Sequence, residues 1–216
     1  MRYLRIAAAL LLFSSAAMAD RDTGWDYGAD VIYSFAQDIG FDGGSKADID
    51  DDLGLALSFG YRFSSRLELL FSLDWNNSDY DLHVAPGDSA AGNGFNATGE
   101  IESWTPRVGI NFNLLEGPLT PYVTGAVGWS FIDTNIPDSP PQTACWWDPW
   151  WGYYCGTYQN TRNIDELVYD IGAGVRWDVG STWSLRLGYE RHWLDLGEAT
   201  STPAFDQVRL GILARY

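Results

Sequence analysis

Acid–base chemistry in this chain is limited by its imidazoles, of which there are two, His83 and His192. His192 shares a strand-alternation face with Glu190, so a base and a carboxylate stand together. Hydrolysis by such a pair also requires a nucleophile within hydrogen-bond reach. Ser184, on the same face, is roughly 26 Å away along an extended strand; a serine on a neighbouring strand is the other source. His83 falls in a polar connection. A structural role for His192 and a non-enzymatic protein are therefore expected. Asp48, Asp50 and Asp52 have the spacing of the first half of a calcium loop. Leu53, however, stands where that loop needs glycine, and no glutamate follows at the right distance. A solvated acidic stretch is expected at 37–52, with divalent-cation bridging as the alternative. No bound metal or cofactor is expected.

Residues 1–19 have the form of a removable export leader. Arg2 and Arg5 precede a short apolar run, and Ala17-Met18-Ala19 is a small-residue cleavage site. Residues 20–216 would then form one domain. In an exported chain, Cys145 and Cys155 point to one disulfide, worth on the order of 2–3 kcal/mol in the chain-entropy model. Between them lie Trp146, Trp147, Trp150, Trp151, Tyr153 and Tyr154. Such a patch either packs on the protein's own rim or offers a contact surface to lipopolysaccharide, a sugar or a protein.

The elements that position these residues follow a period of two. Alternating segments occur at 25–36, 53–64, 67–76, 103–114, 119–131, 167–177, 183–193 and 207–216. One face of each is apolar and aromatic. The other is mostly glycine and small residues with scattered charges, which suits neither a solvent face nor a sandwich core. It does suit a barrel turned inside out, apolar toward lipid and polar in a narrow lumen. Closure is then required, because lipid satisfies no open strand edge. The pattern predicts an all-β fold, an eight-stranded antiparallel up-and-down transmembrane β-barrel. Connections alternate between short turns and long loops near 37–52, 77–99, 133–165 and 195–205, which puts the long loops outside the cell. Trp25, Phe63, Phe112, Trp177, Trp183 and Tyr216 then mark one aromatic girdle, and Trp75, Trp104, Trp129, Tyr169 and Trp193 the other.

Basic residues number 13 against 29 acidic, a formal charge of −16 that becomes −18 once Arg2 and Arg5 leave with the leader. That balance excludes nucleic acid as a partner. No segment after the leader is apolar for long enough to be a membrane helix.

Inward-facing charges should pair, since an unpaired buried charge costs more than its attractions return. Asp26, Arg62, Glu68, Arg176, Arg186 and Arg215 belong low in the lumen; Asp30, Arg107, Asp170, Glu190 and Arg209 belong higher. Closure of the last strand on the first should bring Arg215 toward Asp26. A salt-bridged plug is expected, a conducting path being the alternative. On the last strand, Val208, Leu210, Ile212 and Tyr216 face lipid and form a candidate signal for the barrel-assembly machinery.

Several short runs carry a family likeness. Pro121-Tyr122 leading to Gly125-Ala126-Val127-Gly128, then Gly172-Ala173-Gly174-Val175-Arg176, and Gly188-Tyr189-Glu190-Arg191-His192 with Leu194-Asp195-Leu196-Gly197 resemble the small outer-membrane β-barrel superfamily. That group includes OmpA/OmpX-type barrels and opacity-type surface porins. The resemblance implies a barrel in the outer membrane of a Gram-negative bacterium, in contact with lipid and lipopolysaccharide. Members commonly carry tyrosine or arginine where Glu190 and His192 stand, and no periplasmic domain is seen, so peptidoglycan binding is not carried over. The expected function is a non-enzymatic surface protein contributing to envelope structure, with adhesion to a host or glycan ligand through its acidic and aromatic loops. A narrow porin-like channel is the alternative, followed by a lipid A-modifying enzyme.

Overall fold

The computed structural model describes residues 23–40, 43–86, 94–137, 142–150, 152–158, 161–195 and 203–216. The expected leader lies outside them. Regular structure among the described residues is entirely extended. The strands are β1 Gly24–Ser34, β2 Gln37–Gly40, β3 Lys46–Ile49, β4 Asp52–Arg62, β5 Leu67–Val84 and β6 Phe95–Asn113. They continue as β7 Leu119–Pro137, β8 Gln142–Asp148, β9 Gly152–Tyr158, β10 Thr161–Val179, β11 Trp183–Leu194 and β12 Ala204–Arg215.

Eight of these close a barrel in the order β1-β4-β5-β6-β7-β10-β11-β12, every neighbour antiparallel. The seam pairs β1 with β12 from Asp26↔Arg215 to Ser34↔Gln207. Beyond it, the Trp25 amide donates to the Tyr216 carbonyl at 3.0 Å and the Tyr216 amide to the Trp25 carbonyl at 2.8 Å. Closure leaves the barrel wall without a free edge, the condition lipid imposes.

Strand length is where the structure departs from the sequence-based expectation. β5 runs 18 residues and β6, β7 and β10 run 19 each, roughly 60 Å at the usual rise. Even with a tilt of about 40°, that exceeds the roughly 25 Å apolar band by about 20 Å. The connections expected at 77–99 and 133–165 are thus largely strand. At 37–52 the chain forms the β2–β3 hairpin, and β3 adds to the top of β5 from Lys46↔His83 to Ile49↔Tyr80.

The alternation inverts at the end of the band. Within the band Leu57, Phe71, Ile110 and Ile171 face out and are exposed. Above it, Asp79, Asp81, Glu100, Asp133 and Asp165 face out, while Tyr80, Leu82, Ile101, Ile132 and Ile164 turn inward. The outside medium has changed from lipid to water, so the inside has become the apolar side. Trp75 and Trp104 sit at this boundary with ring centres 6.1 Å apart. Their indole N–H groups both donate to Glu102 Oε1, at 2.8 and 3.2 Å, an apolar ring with a wet end, as interfacial aromatics prefer.

Pro106, which has no amide to donate, pairs with Leu73 of β5 but leaves a gap in the ladder to β7 between Trp104↔Phe131 and Arg107↔Gly128. Gly128 lies against that gap, and a Cβ there would collide with the Pro106 carbonyl and the Arg107 side chain.

Candidate functional site

The lumen is built from residues that strand alternation points inward. Lowest is a cluster around Arg176, among the largest fully buried side chains. Its guanidinium donates to Asp26 Oδ2 at 2.9 Å, Glu68 Oε2 at 3.1 Å and Asp178 Oδ1 at 3.1 Å. Arg62 Nε reaches Asp26 Oδ2 at 3.2 Å. Arg215 sits opposite Asp26 across the seam, yet its guanidinium pairs with Asp178 and donates to Ser184 Oγ at 2.6 and 2.9 Å. Closure thus brings Arg215 beside Asp26 in register, and its long side chain reaches on to Asp178 and Ser184.

At mid-height Arg186 Nη2 meets Asp30 Oδ1 at 2.9 Å. Tyr122 crosses the same level, buried. Its hydroxyl would stand 2.6 and 2.5 Å from side chains added at Gly174 and Gly188, so these glycines make room for the ring. The upper cluster joins Arg107 to Asp74 at 2.7 Å, Asp170 at 3.0 Å and Glu190 at 3.2 Å. Arg209 reaches Asp74 at 2.6 Å and Glu190 at 3.5 Å. His192 Nδ1 lies 2.5 Å from Asp170 Oδ1.

The residues assigned to the lumen from sequence therefore all sit there, in ion pairs. Asp74 and Asp178 complete the clusters and were not assigned. Asp74 was legible as inward-facing, while Asp178 lies one residue past the end of its apolar run. Among the described residues no serine, threonine or cysteine is hydrogen-bonded to His192. Ser184 is committed to Asp178, Arg176 and Arg215 at the other end of the barrel.

Over the upper cluster the apolar interior leaves a partly open cup of about 220 Å³. Its wall carries Ile39, Ile49, Ile101, Ile132 and Ile164, and its lower rim Asp52, Asn76, His192 and Gln207. Burial in this wall raises the Tyr80 hydroxyl above its ordinary pKa.

The outer surface carries the remaining features. Asp38, Asp48 and Asp81 stand side by side across β2, β3 and β5, and Asp79 faces Glu100. Asp42, in the acidic stretch expected at 37–52, lies outside the described residues. β8 and β9 form a separate two-stranded hairpin in which Cys145 and Cys155 are register partners and disulfide-bonded. Trp147, Trp150 and Tyr153 are exposed on it. Trp146 and Tyr154 are register partners in it, and Trp151 lies outside the described residues. Arg191, on the lipid-facing register, is clamped by Asp206 at 2.8 and 2.9 Å in an unbroken ladder. Its charge is thus met within the protein. Leu210, Ile212 and Tyr216 of the closing strand face out and are exposed, with Val208 on the same register half-buried.

The outer membrane protein beta-barrel domain family matches residues 6–215. The chain belongs to that family. As an outer-membrane barrel it is similar in fold to the crystal structure of Ail, the attachment invasion locus protein of Yersinia pestis, in complex with the heparin analogue sucrose octasulfate. That match has a TM-score of 0.51 and 12% identity over 90% of this chain and 99% of the other. Neisserial surface protein A matches with a TM-score of 0.53 and 14% identity, over 89% and 97% of the two chains. At such identities the likeness is one of fold. Among curated protein sequences, none matches. Family membership puts this barrel in the outer membrane and leaves its role to be argued from its own residues.

Proposed function

We propose that this outer-membrane barrel works by surface contact, through its acidic and aromatic extension, and neither conducts nor catalyses. The observation that carries this reading is the pair of buried ion-pair clusters lying across the lumen. Eight strands enclose an interior that side chains can fill, and here charged side chains fill it. A carboxylate–histidine pair without a hydrogen-bonded nucleophile likewise supports a structural His192. In planar bilayers the purified barrel is expected to give no stepwise conductance, and regular openings would overturn the reading. His192→Ala should leave the lipid A mass spectrum of expressing cells unchanged.

Charge narrows the partner. Exposed Asp38, Asp48, Asp79, Asp81, Glu100 and Asp133 dominate the extension, with Lys46 set against them. Ail is described with a polyanionic heparin analogue; this surface would repel such a ligand. A cationic or neutral face is the better fit, with exposed Trp147, Trp150 and Tyr153 supplying apolar contact. Cells displaying the barrel should bind polylysine-coated beads in preference to heparin-coated ones. The preference should fade as salt rises toward molar, where the Debye length is about 3 Å. Equal binding to both beads would sink the charge argument.

Biogenesis is a second contact. The outward row of Val208, Leu210, Ile212 and Tyr216 suits recognition of β12 by the assembly machinery through strand addition. Tyr216→Asp is expected to lower the folded barrel in membranes on the order of tenfold while leaving refolding into detergent intact. Heat-modifiable mobility on gels reads both. Equal losses in the two assays would assign Tyr216 to stability instead.

A further inference from the structure

The cup above the upper charge cluster contains an anomaly. Asp52 is 8% exposed; the Ser34 and Ser78 hydroxyls are its hydrogen-bond donors, and among the described residues no cation pairs with it. Asn76 Oδ1, on the same lining, is buried without a hydrogen-bond partner. Its side chain lies across Gly54, where an added Cβ would collide with it, so the glycine leaves the amide its space. Elsewhere in this lumen buried carboxylates are matched by arginines. The arginines nearest this level, Arg107 and Arg209, are already engaged by Asp74, Asp170 and Glu190 beneath. A buried carboxylate without a counter-charge is costly, and hydroxyls alone surround this one at the foot of an otherwise mostly apolar cup.

We infer that the cup is a binding site for a small amphipathic cation, an apolar body with one ammonium head, whose head is received by Asp52 and Asn76. The ammonium donates to the carboxylate and to the amide oxygen, while the body lies against Ile39, Ile49, Ile101, Ile132 and Ile164. An engineered apolar cavity of about 150 Å³ holds benzene, so about 220 Å³ accommodates a single ring with a short arm. Charge sets the selection. Asp50, also on the lining, adds to a negative mouth, attracting a cation and repelling a carboxylate.

Isoleucine methyl NMR in lipid nanodiscs tests this, because the five wall isoleucines report on the cup while Ile110, Ile171 and Ile212 report on the lipid face. The probes are 2-phenylethylamine, its neutral analogue 2-phenylethanol, and 3-phenylpropionate. The amine is expected to shift the wall methyls saturably and to leave the lipid-facing methyls in place. The alcohol should bind roughly tenfold or more weakly, a charge-assisted hydrogen bond having become a neutral one, and the carboxylate should not bind. Asp52→Asn should lower the amine's affinity to that of the alcohol, with the ligand-free spectrum otherwise preserved. Shifts confined to lipid-facing methyls would mean partition into the bilayer and would overturn the site. Equal affinity for amine and alcohol in the unsubstituted protein would overturn recognition by Asp52, independently of how the variant folds.

Discussion

Arg176→Gln is expected to cost on the order of 3–5 kcal/mol of folding free energy, the usual consequence of breaking a buried ion pair from one side. One guanidinium serves Asp26, Glu68 and Asp178, all nearly inaccessible to water. Its loss leaves Glu68 with Asn111 at 3.5 Å as its remaining donor and withdraws one cation from each of the other two. Asp26 keeps Arg62, and Asp178 keeps Arg215 and Ser184, so Glu68 should carry most of the penalty. Glu68→Gln introduced into Arg176→Gln should therefore recover part of the loss, with a coupling of about 0.5–3 kcal/mol. Urea titration of the barrel refolded into lipid vesicles measures both. The exposed Arg66–Glu116 pair, at 3.0 Å, provides the contrast: Arg66→Gln should cost about 0–1 kcal/mol. If Arg176→Gln cost no more than Arg66→Gln, the lumen would be wet rather than sealed, and the case against conduction would lose its support.

The sequence shows much of this lumen because strand alternation determines which residues face in. Once Arg107, Arg176 and Arg209 fall on the small-residue face of their strands, closure brings them to carboxylates on other strands, whichever partner each takes. Pairing itself is harder to read. Arg215 and Asp26 are true register neighbours, but a long guanidinium reaches diagonally, and Asp178 and Ser184 met it first. Asp178 is not legible as a lumen residue because it follows Trp177, where the apolar run ends. The extension was hidden for a related reason. From Asn77 to Val84 and from Phe95 to Glu102 the period of two continues, but with polar residues outward, so an apolar-outward pattern stops at Trp75 and Trp104 although the strands do not. The cup depends on that same stretch. Its isoleucines come from strands far apart in sequence and share a wall only after closure.

This inversion fixes the edge of the membrane, and paired arginine substitutions locate it. Leu57 faces out in mid-strand and is 68% exposed, so Leu57→Arg places a charge near the middle of the hydrocarbon layer and should cost about 2–4 kcal/mol. Asp79 also faces out, on β5, four residues beyond the girdle residue Trp75. There Asp79→Arg meets water, not lipid, and replaces the like-charged pairing with Glu100 by an opposite one. Its effect should fall within about 0.5 kcal/mol of zero, toward stabilisation. Both values come from the same vesicle titration. A penalty at Asp79 comparable to that at Leu57 would move the bilayer edge up β5 and bury the acidic ladder of Asp38, Asp48 and Asp81 in lipid. No arrangement of unpaired carboxylates survives there, so the extension would have to refold, and the surface proposed for contact would not exist. The two arginines thus decide at once where the membrane ends and whether there is an outer surface to work with.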